Sequence, residues 1–422
     1  MSHSLADKLG RGMLNYIFAG FFVVALFVAL GALCLTGDFG IFEAVMQASF
    51  DGAKNGFEIA LYLTGMLCLW LGLLRIAEEA GLVTRLARLA SPVLRILFPS
   101  IPKGHPAMGN IVMNISANML GLDNAATPLG LKTMQQLQEL NPNKTDRPSD
   151  AMLMFIGLNA SGLTIIPTSI IAFRMQAGAS NPADVFLPIL MATTVSTLIV
   201  SLLIALRQRI NLLRLPMLLL LGSIALCFAG IVYGSILLAP EIFARLSTGI
   251  SATILVSLMS GFVLYAICKR IPVYEVFVEG AKEGFSTAIT IVPYLVAMLV
   301  SIGIFRASGA MGMLSDGLVY LMNLIQIDAA WVEALPTILM KPLSGSGARG
   351  LMVDAMQTHG ADSFVGRLAS TVQGASDTTF YVIALYLGSV GIRQSSYILN
   401  YSLLGDLAGA VTAIGVTYLF FG

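Results

Sequence analysis

The chain has 422 residues, 57% of them hydrophobic and 11% charged, with a mean hydropathy of +0.84 and a formal net charge of +1. Soluble domains carry about 25% charged residues, so an ordinary water-soluble fold is excluded, and the balanced charge argues against a nucleic-acid partner. Three histidines without ligand spacing and four scattered cysteines give no basis for a metal centre or a disulfide framework, and no cofactor is expected.

A membrane span needs about 20 apolar residues. Taken in order, the first two such runs fall at 14–36 and 58–76. The polar stretch "MSHSLADKLGRGMLN" precedes the first without a small-residue cleavage site, so that run reads as a retained helix. Segment 77–104 places Arg85, Arg88 and Arg95 among leucines and reads as an amphipathic helix on the membrane surface. Segment 105–131 is apolar but broken by Gly, Pro, Ser and Asn, which predicts a re-entrant hairpin. Irregular backbone at that depth survives only where protein or a watery cavity covers it. His105, between Pro102 and Pro106, reads as a turn residue at its entrance.

Spans follow at 151–173, where Pro167 breaks the helix and frees carbonyls, and at 187–206. The basic stretch "RQRINLLRLP" (207–216) leads into a span at 216–238, and further spans fall at 250–268 and 286–304. A second broken stretch, 331–350, predicts a second hairpin before spans at 368–388 and 396–421. The expected fold is therefore all-α and polytopic, with nine transmembrane helices and two re-entrant hairpins. Placing the N-terminus in the cytoplasm puts most of the 24 Lys and Arg inside, and the odd number of spans leaves the C-terminus outside. Cys34, Cys68, Cys227 and Cys268 lie inside apolar runs as small packing residues.

"DGAKNGF" at 51–57 and "EGAKEGF" at 279–285 are nearly the same phrase. Each precedes a span and then Gly81 or Gly309, and next a broken hairpin, a polar-centred span and a final helix. The span 216–238 is left over between the copies, and one extra crossing reverses the second copy in the bilayer. This is the plan of an inverted-topology repeat, a plan typical of secondary transporters, whose sites lie near the midplane where broken elements meet. The domains expected are residues 1–206, a linker with connecting helix at 207–249, and an inverted second half at 250–422.

Polar groups inside hydrocarbon are costly and face a cavity, a partner or a pathway. In the first half the candidates for binding a solute are Asn118, Asp123 and Asn124 on the hairpin, with Asn159, Ser161 and Thr164 on the broken span. In the second half they are Lys341, Ser344 and Ser346 on the hairpin, with Gln373, Ser376, Asp377 and Thr378 on the span. Helix ends at hairpin tips and breaks offer N–H groups to an anionic or strongly polar ligand. Asp123, Asp377 and Asp406 are candidates for holding a coupling proton or cation; Asp123 and Asp377 could equally pair with Lys341 and Arg349. Without a nucleophile elbow no enzyme is expected, and without a P-loop ATP is not the chain's own energy source.

Segment 101–142, "IPKGHPAMGNIVMNISANMLGLDNAATPLGLKTMQQLQELNP", resembles the bacterial spore maturation protein A family. Segments 273–310, 364–393 and 403–409 ("LLGDLAG") resemble the spore maturation protein B family, so the chain looks like a fusion of the two. Both belong to the group with the nucleoside-recognition or Gate domain. The resemblance implies a transport-like core with hairpins in a bacterial inner membrane, but no substrate. The expectation is a secondary transporter or exporter of a small polar or anionic solute, nucleoside-like or a carboxylate. It is coupled to a proton or cation and forms a homo-oligomer in the lipid bilayer. The alternatives are a non-transporting envelope or spore maturation factor that keeps the fold, and a transporter of lipid head groups.

Overall fold

The computed structural model describes residues 5–120, 123–143, 147–324, 329–392 and 394–422, and all regular structure among them is helical. The protein is an all-α polytopic membrane protein. Helices α1 (Leu5–Thr36), α2 (Gly40–Glu79), α8 (Phe186–Arg207), α9 (Leu215–Leu237), α10 (Pro240–Cys268), α11 (Val273–Ala307) and α17 (Ile398–Phe421) are long and apolar enough to cross a membrane. Between them lie α3 (Leu82–Leu97), the hairpin of α4 (Pro106–Met119) and α5 (Asp123–Glu139), and the pair α6 (Asp150–Ser161) and α7 (Thr168–Gln176). In the second half they are α12 (Ala310–Leu324), the hairpin of α13 (Leu335–Met340) and α14 (Gly345–His359), and the pair α15 (Phe364–Ala375) and α16 (Thr379–Ser389).

The elements α1–α8 correspond one for one to α10–α17, with α9 between the two sets. Equivalent details recur. Gly81 and Gly309 both take positive φ, 77° and 84°, before α3 and α12. Ser149 and Ser363 cap two 12-residue helices, α6 and α15, each hydroxyl accepting from a backbone N–H three residues on. Such side-chain caps satisfy N–H groups that hydrocarbon could not.

The repeated phrase lies where α2 and α11 cross. A Cβ at Gly52 would come within 2.8 Å of the Leu299 carbonyl oxygen, and one at Gly56 within 2.9 Å of the Val296 backbone. A Cβ at Gly280 would reach within 2.5 Å of the Leu71 carbonyl oxygen, and one at Gly284 within 2.6 Å of the Cys68 nitrogen. Each contact of one copy is the contact of the other shifted by the same 228 positions: 52 with 299 becomes 280 with 71, and 56 with 296 becomes 284 with 68. The two helices are therefore antiparallel and related by a local two-fold axis that crosses them near Tyr62 and Thr290. An axis perpendicular to two spanning helices lies in the membrane plane, which makes the repeat an inverted one. Glycine at these four positions lets the backbones touch, the close approach that small residues permit between membrane helices.

Several expectations change. The spans read at 58–76 and 286–304 are the later parts of helices beginning at Gly40 and Val273, so the repeated phrase is mid-helix and not at a helix start. The spans at 151–173 and 368–388 are each discontinuous, interrupted at 162–167 and 376–378. The hairpins extend further than 105–131 and 331–350, to Glu139 and His359. Among the cysteines, Cys34, Cys227 and Cys268 are on exposed helix surfaces, and Cys68 alone packs at a helix interface, its thiol 3.1 Å from the Ala281 carbonyl. His105 is a turn residue, as expected: it caps α4, its Nδ1 accepting from the Ala107 N–H.

The halves are not in the same arrangement. Helix α14 packs along α11, with Gly350 against Met298, whereas α5 makes no comparable packing on α2 among the described residues. Instead α5 leans on α16, where a Cβ at Gly130 would meet the Tyr386 hydroxyl.

Candidate functional site

The two breaks meet. The Asp377 N–H donates to the Ala160 carbonyl in the last turn of α6 at 3.0 Å. Each break also pairs with its own hairpin: Ile165 N–H donates to the Met119 carbonyl at 2.8 Å, and Phe380 N–H to the Pro342 carbonyl at 3.1 Å. The Gly162 carbonyl accepts from the hydroxyls of Thr164 and Thr193, both at 3.0 Å. Gly162 itself has φ +56°, and a Cβ there would sit 2.8 Å from the Asp377 nitrogen, so no other residue fits. Backbone groups freed by the breaks are in this way partly satisfied by one another, which positions the chain at both breaks.

Beside this junction is a cavity of about 210 Å³. The first half contributes Leu67 and Leu71 of α2, Asn118 of α4, the break from Gly162 to Pro167, and Thr168 and Ser169 of α7. The second contributes Thr287 and Ile291 of α11, Lys341, Arg349, Gln373, and Ser376 and Asp377 at the break. Of the residues proposed from sequence, Asn118, Thr164, Lys341, Gln373, Ser376 and Asp377 are thus brought to one place. The Asp377 carboxylate accepts from the Thr378 N–H at 2.6 Å and is exposed toward the cavity. The Gln373 amide donates to the Gly345 carbonyl at 3.4 Å, while its Oε1 is buried with no partner among the described residues. A buried acceptor without a partner is rare and asks for an explanation.

The remaining candidates whose side chains are described do not line the cavity. Asn159 is buried behind it, its Oδ1 accepting from Asn118 at 2.7 Å and from the Tyr386 hydroxyl at 3.1 Å. It ties the first hairpin to α16 across the two halves. Asn159→Leu is expected to lower stability by about 1–3 kcal/mol, the cost of leaving buried partners unsatisfied. Ser161→Ala, whose hydroxyl only returns to the Leu158 carbonyl, should change the melting temperature little.

Ser344 caps α14, accepting from the Gly347 N–H at 3.0 Å, and Ser346 contacts it at 3.3 Å. Thr378 is buried against Gly345, where a Cβ would come within 2.6 Å of its hydroxyl. Asp406 on α17 accepts from the Thr379 hydroxyl at 2.7 Å, and its second oxygen has no partner among the described residues. It stands directly behind the break and not on the cavity wall. Asp123 and Asn124 open α5; their side chains lie outside the described residues.

A second connection between the halves was not foreseen. Arg174, fully buried, donates to Asp184 at 2.8 Å, to Asp362 at 3.2 Å and to the Ala361 carbonyl at 2.7 Å. Arg367 donates to the other Asp184 oxygen at 2.8 Å, and Ser180 N–H to Asp362 at 2.8 Å. Burial pushes the Asp184 carboxyl up despite its two arginines. At Asp362 burial is outweighed by the Ser180 hydrogen bonds and by the charges of Arg367 and Arg174, and the carboxyl sits below the usual range. This cluster joins the α7–α8 loop to the α14–α15 loop. The equivalent junction, between the start of α6, the end of α8 and the start of α17, uses neutral groups: Gln208 donates to the Asp150 carbonyl and the Tyr397 hydroxyl.

Comparison with known proteins finds one family domain twice in the chain. Residues 60–177 and 288–393 match the Gate family, described as nucleoside recognition, and together make up more than half of the sequence. The chain belongs to the Gate family. Both matched regions begin near the two-fold axis and run through a hairpin and a broken span, so the family domain lies within the repeated unit and occurs once in each copy. The chain is 46% identical over 165 residues to "Spore maturation protein B" of Bacillus subtilis (strain 168), covering 39% of this chain and 91% of that protein. It is 41% identical over 184 residues to "Spore maturation protein A" of the same organism, covering 44% of this chain and 90% of that protein. The two relatives match different parts of the sequence, so one Gate protein here holds the counterparts of two.

Proposed function

We propose that the protein is a secondary transporter of a small polar or anionic solute, bound in the cavity where the two broken spans meet. The observation that carries this reading is the Gln373 acceptor, buried and unpartnered at the wall of a polar cavity between inverted halves. Lys341 and Arg349 bring positive charge to that wall, which suits a carboxylate or another anion. The family's description favours a nucleoside-like solute, whose ring N–H groups and hydroxyls would satisfy Gln373 and Asp377. Asp377 and Asp406 are the groups placed to take up a coupling proton or cation.

Alternating access then follows from the unequal packing of the halves. In the other state α5 would pack on α2 as α14 now packs on α11, with the Arg174 cluster opened. The membrane is taken to be the bacterial inner membrane, with the N-terminus in the cytoplasm, the C-terminus outside, and the solute and lipid as the only partners required beyond a second copy of the chain. Translocation, not catalysis, is the activity. The names of the relatives favour one other reading, a maturation factor that keeps the fold without moving a solute.

The test is thermal stabilisation of the purified protein by nucleosides, small carboxylates and amino acids at two pH values. One class is expected to raise the melting temperature, and Gln373→Leu and Asp377→Asn to remove that rise. Gln373→Leu should change the stability of the unliganded protein little, because it deletes an unsatisfied acceptor together with one long hydrogen bond to the Gly345 carbonyl. No stabilisation by any class at millimolar concentration, with the protein folded, would favour the maturation-factor reading.

A further inference from the structure

An opening larger than the midplane cavity lies elsewhere among the described residues. It is a cleft of about 820 Å³ between α3 and the entrance of the first hairpin. Three segments bring cations to it: Arg88 and Arg95 from α3, Lys103 from the turn before α4, and Arg214 from the residue that caps α9. Among the described residues no carboxylate pairs with Arg88, Arg95, Lys103 or Arg214. The inner wall is apolar, formed by Phe98, Met108, Val112 and Met113.

The inverted repeat supplies an internal comparison. The equivalent cleft of the second half lies between α12 and α13, measures about 180 Å³ and is lined by apolar side chains such as Leu314, Pro336 and Met340. Position 316, the counterpart of Arg88, is Asp and does not line that cleft, so the basic lining belongs to the first half alone of the two. A bias of Lys and Arg toward one membrane face accounts for basic residues on α3. It does not account for their convergence, with Lys103 of the following turn, on Arg214, which comes from a distant part of the chain, at one cleft with an apolar wall.

We propose that this cleft holds the phosphate-bearing head group of an anionic membrane phospholipid, with its acyl chains along the Met108 and Val112 wall. Charge complementarity selects an anion, and the α4 N-terminus at Pro106 adds its dipole on the same side. The volume selects an amphiphile. Drug-sized ligands occupy roughly 300–1,000 Å³, and inorganic phosphate would leave most of this space and all of the apolar wall empty. Basic pockets between membrane helices are suited to such head groups. The proposal is independent of the solute in the midplane cavity.

The test is the melting temperature of the purified full-length protein in neutral detergent, titrated with phosphatidylglycerol, phosphatidylcholine or inorganic phosphate. Phosphatidylglycerol alone is expected to give a saturable rise of several degrees. Arg88→Gln with Arg95→Gln should weaken the apparent affinity by about tenfold or more without moving the lipid-free melting temperature. Arg85→Gln, on the same helix but stacked on Tyr265 outside the cleft, should leave the titration unchanged. Should the double variant not fold, Arg214→Gln carries the same readout from another element. An equal rise with phosphatidylcholine, the same rise with inorganic phosphate, or an unchanged titration in the variants would overturn the proposal.

Discussion

Replacing Gly284 with valine is expected to prevent the protein from reaching its folded state. A Cβ at that position would be 2.6 Å from the Cys68 nitrogen and 2.7 Å from its Cα, so the obstacle is backbone and cannot rotate away. Overpacking against movable side chains costs about 1–3 kcal/mol; here α2 and α11 must separate along much of their length, and the cost exceeds that range. The two-fold relation makes a further demand. Gly56→Val, against the Val296 backbone, should be as severe as Gly284→Val, although the positions are 228 residues apart. Gly65→Ala and Gly261→Ala, where the added Cβ meets open space, should be neutral or stabilising by up to about 1 kcal/mol, the helix propensity gained. Yields of monodisperse protein and melting temperatures across these four variants check the pattern.

The second large effect is expected at Arg174. Its side chain is 0% exposed and holds two carboxylates and two carbonyls from loops of both halves. Removing one partner of a buried ion pair costs about 3–5 kcal/mol, because the other is left uncompensated. Arg174→Met should therefore lower the melting temperature sharply. Arg174→Met with Asp184→Asn should recover part of the loss, because the buried charge goes with its partner. Asp362→Asn alone should cost less, since that carboxylate is 34% exposed and water can replace a partner. Under the proposed transport function, a cluster that closes one side predicts that Arg174→Met holds the protein in the state with that side open. Solute then reaches the midplane cavity faster from the α7–α8 loop side.

How much of this is visible in the sequence depends on whether the cause is local. The inverted repeat is legible because its contacts are made by glycines in a fixed phrase, and the same contacts require the same residues twice. The extent of α2 and α11 is not. Glu43, Asp51 and Lys54 make the first 18 residues of α2 read as a loop, yet they lie on helix surfaces, with Lys54 paired to Glu58 one turn on. Pro167 announces the break in the first discontinuous span. The equivalent break at 376–378 carries neither Pro nor Gly and was read only as a polar centre. Helix α12 passes unnoticed because, unlike α3, it lacks the row of arginines that marks a surface helix.

Six of the site candidates reach the cavity because they sit at breaks and hairpin tips, which sequence can locate. Ser161, Ser344 and Thr378 were proposed on the same ground and instead serve the backbone or pack inside. Thr168, Ser169 and Thr287 were missed; the first two directly follow Pro167, while Thr287 has no local signal. The Arg174 cluster could not be foreseen, since its partners are up to 188 positions apart and meet only when the halves dock.

Two copies of one unit inserted in opposite directions, with the candidate site enclosed between them, must present equivalent positions to opposite faces of the membrane. Arg88 and Asp316, both exposed, occupy the same place on α3 and α12. In a background with Cys34, Cys68, Cys227 and Cys268 replaced by alanine, Arg88→Cys and Asp316→Cys are labelled in intact cells with a membrane-impermeant maleimide. Asp316→Cys is expected to be labelled at once and Arg88→Cys only after the membrane is permeabilised. Labelling of both from the same side would contradict the inverted repeat and, with it, the site between the halves.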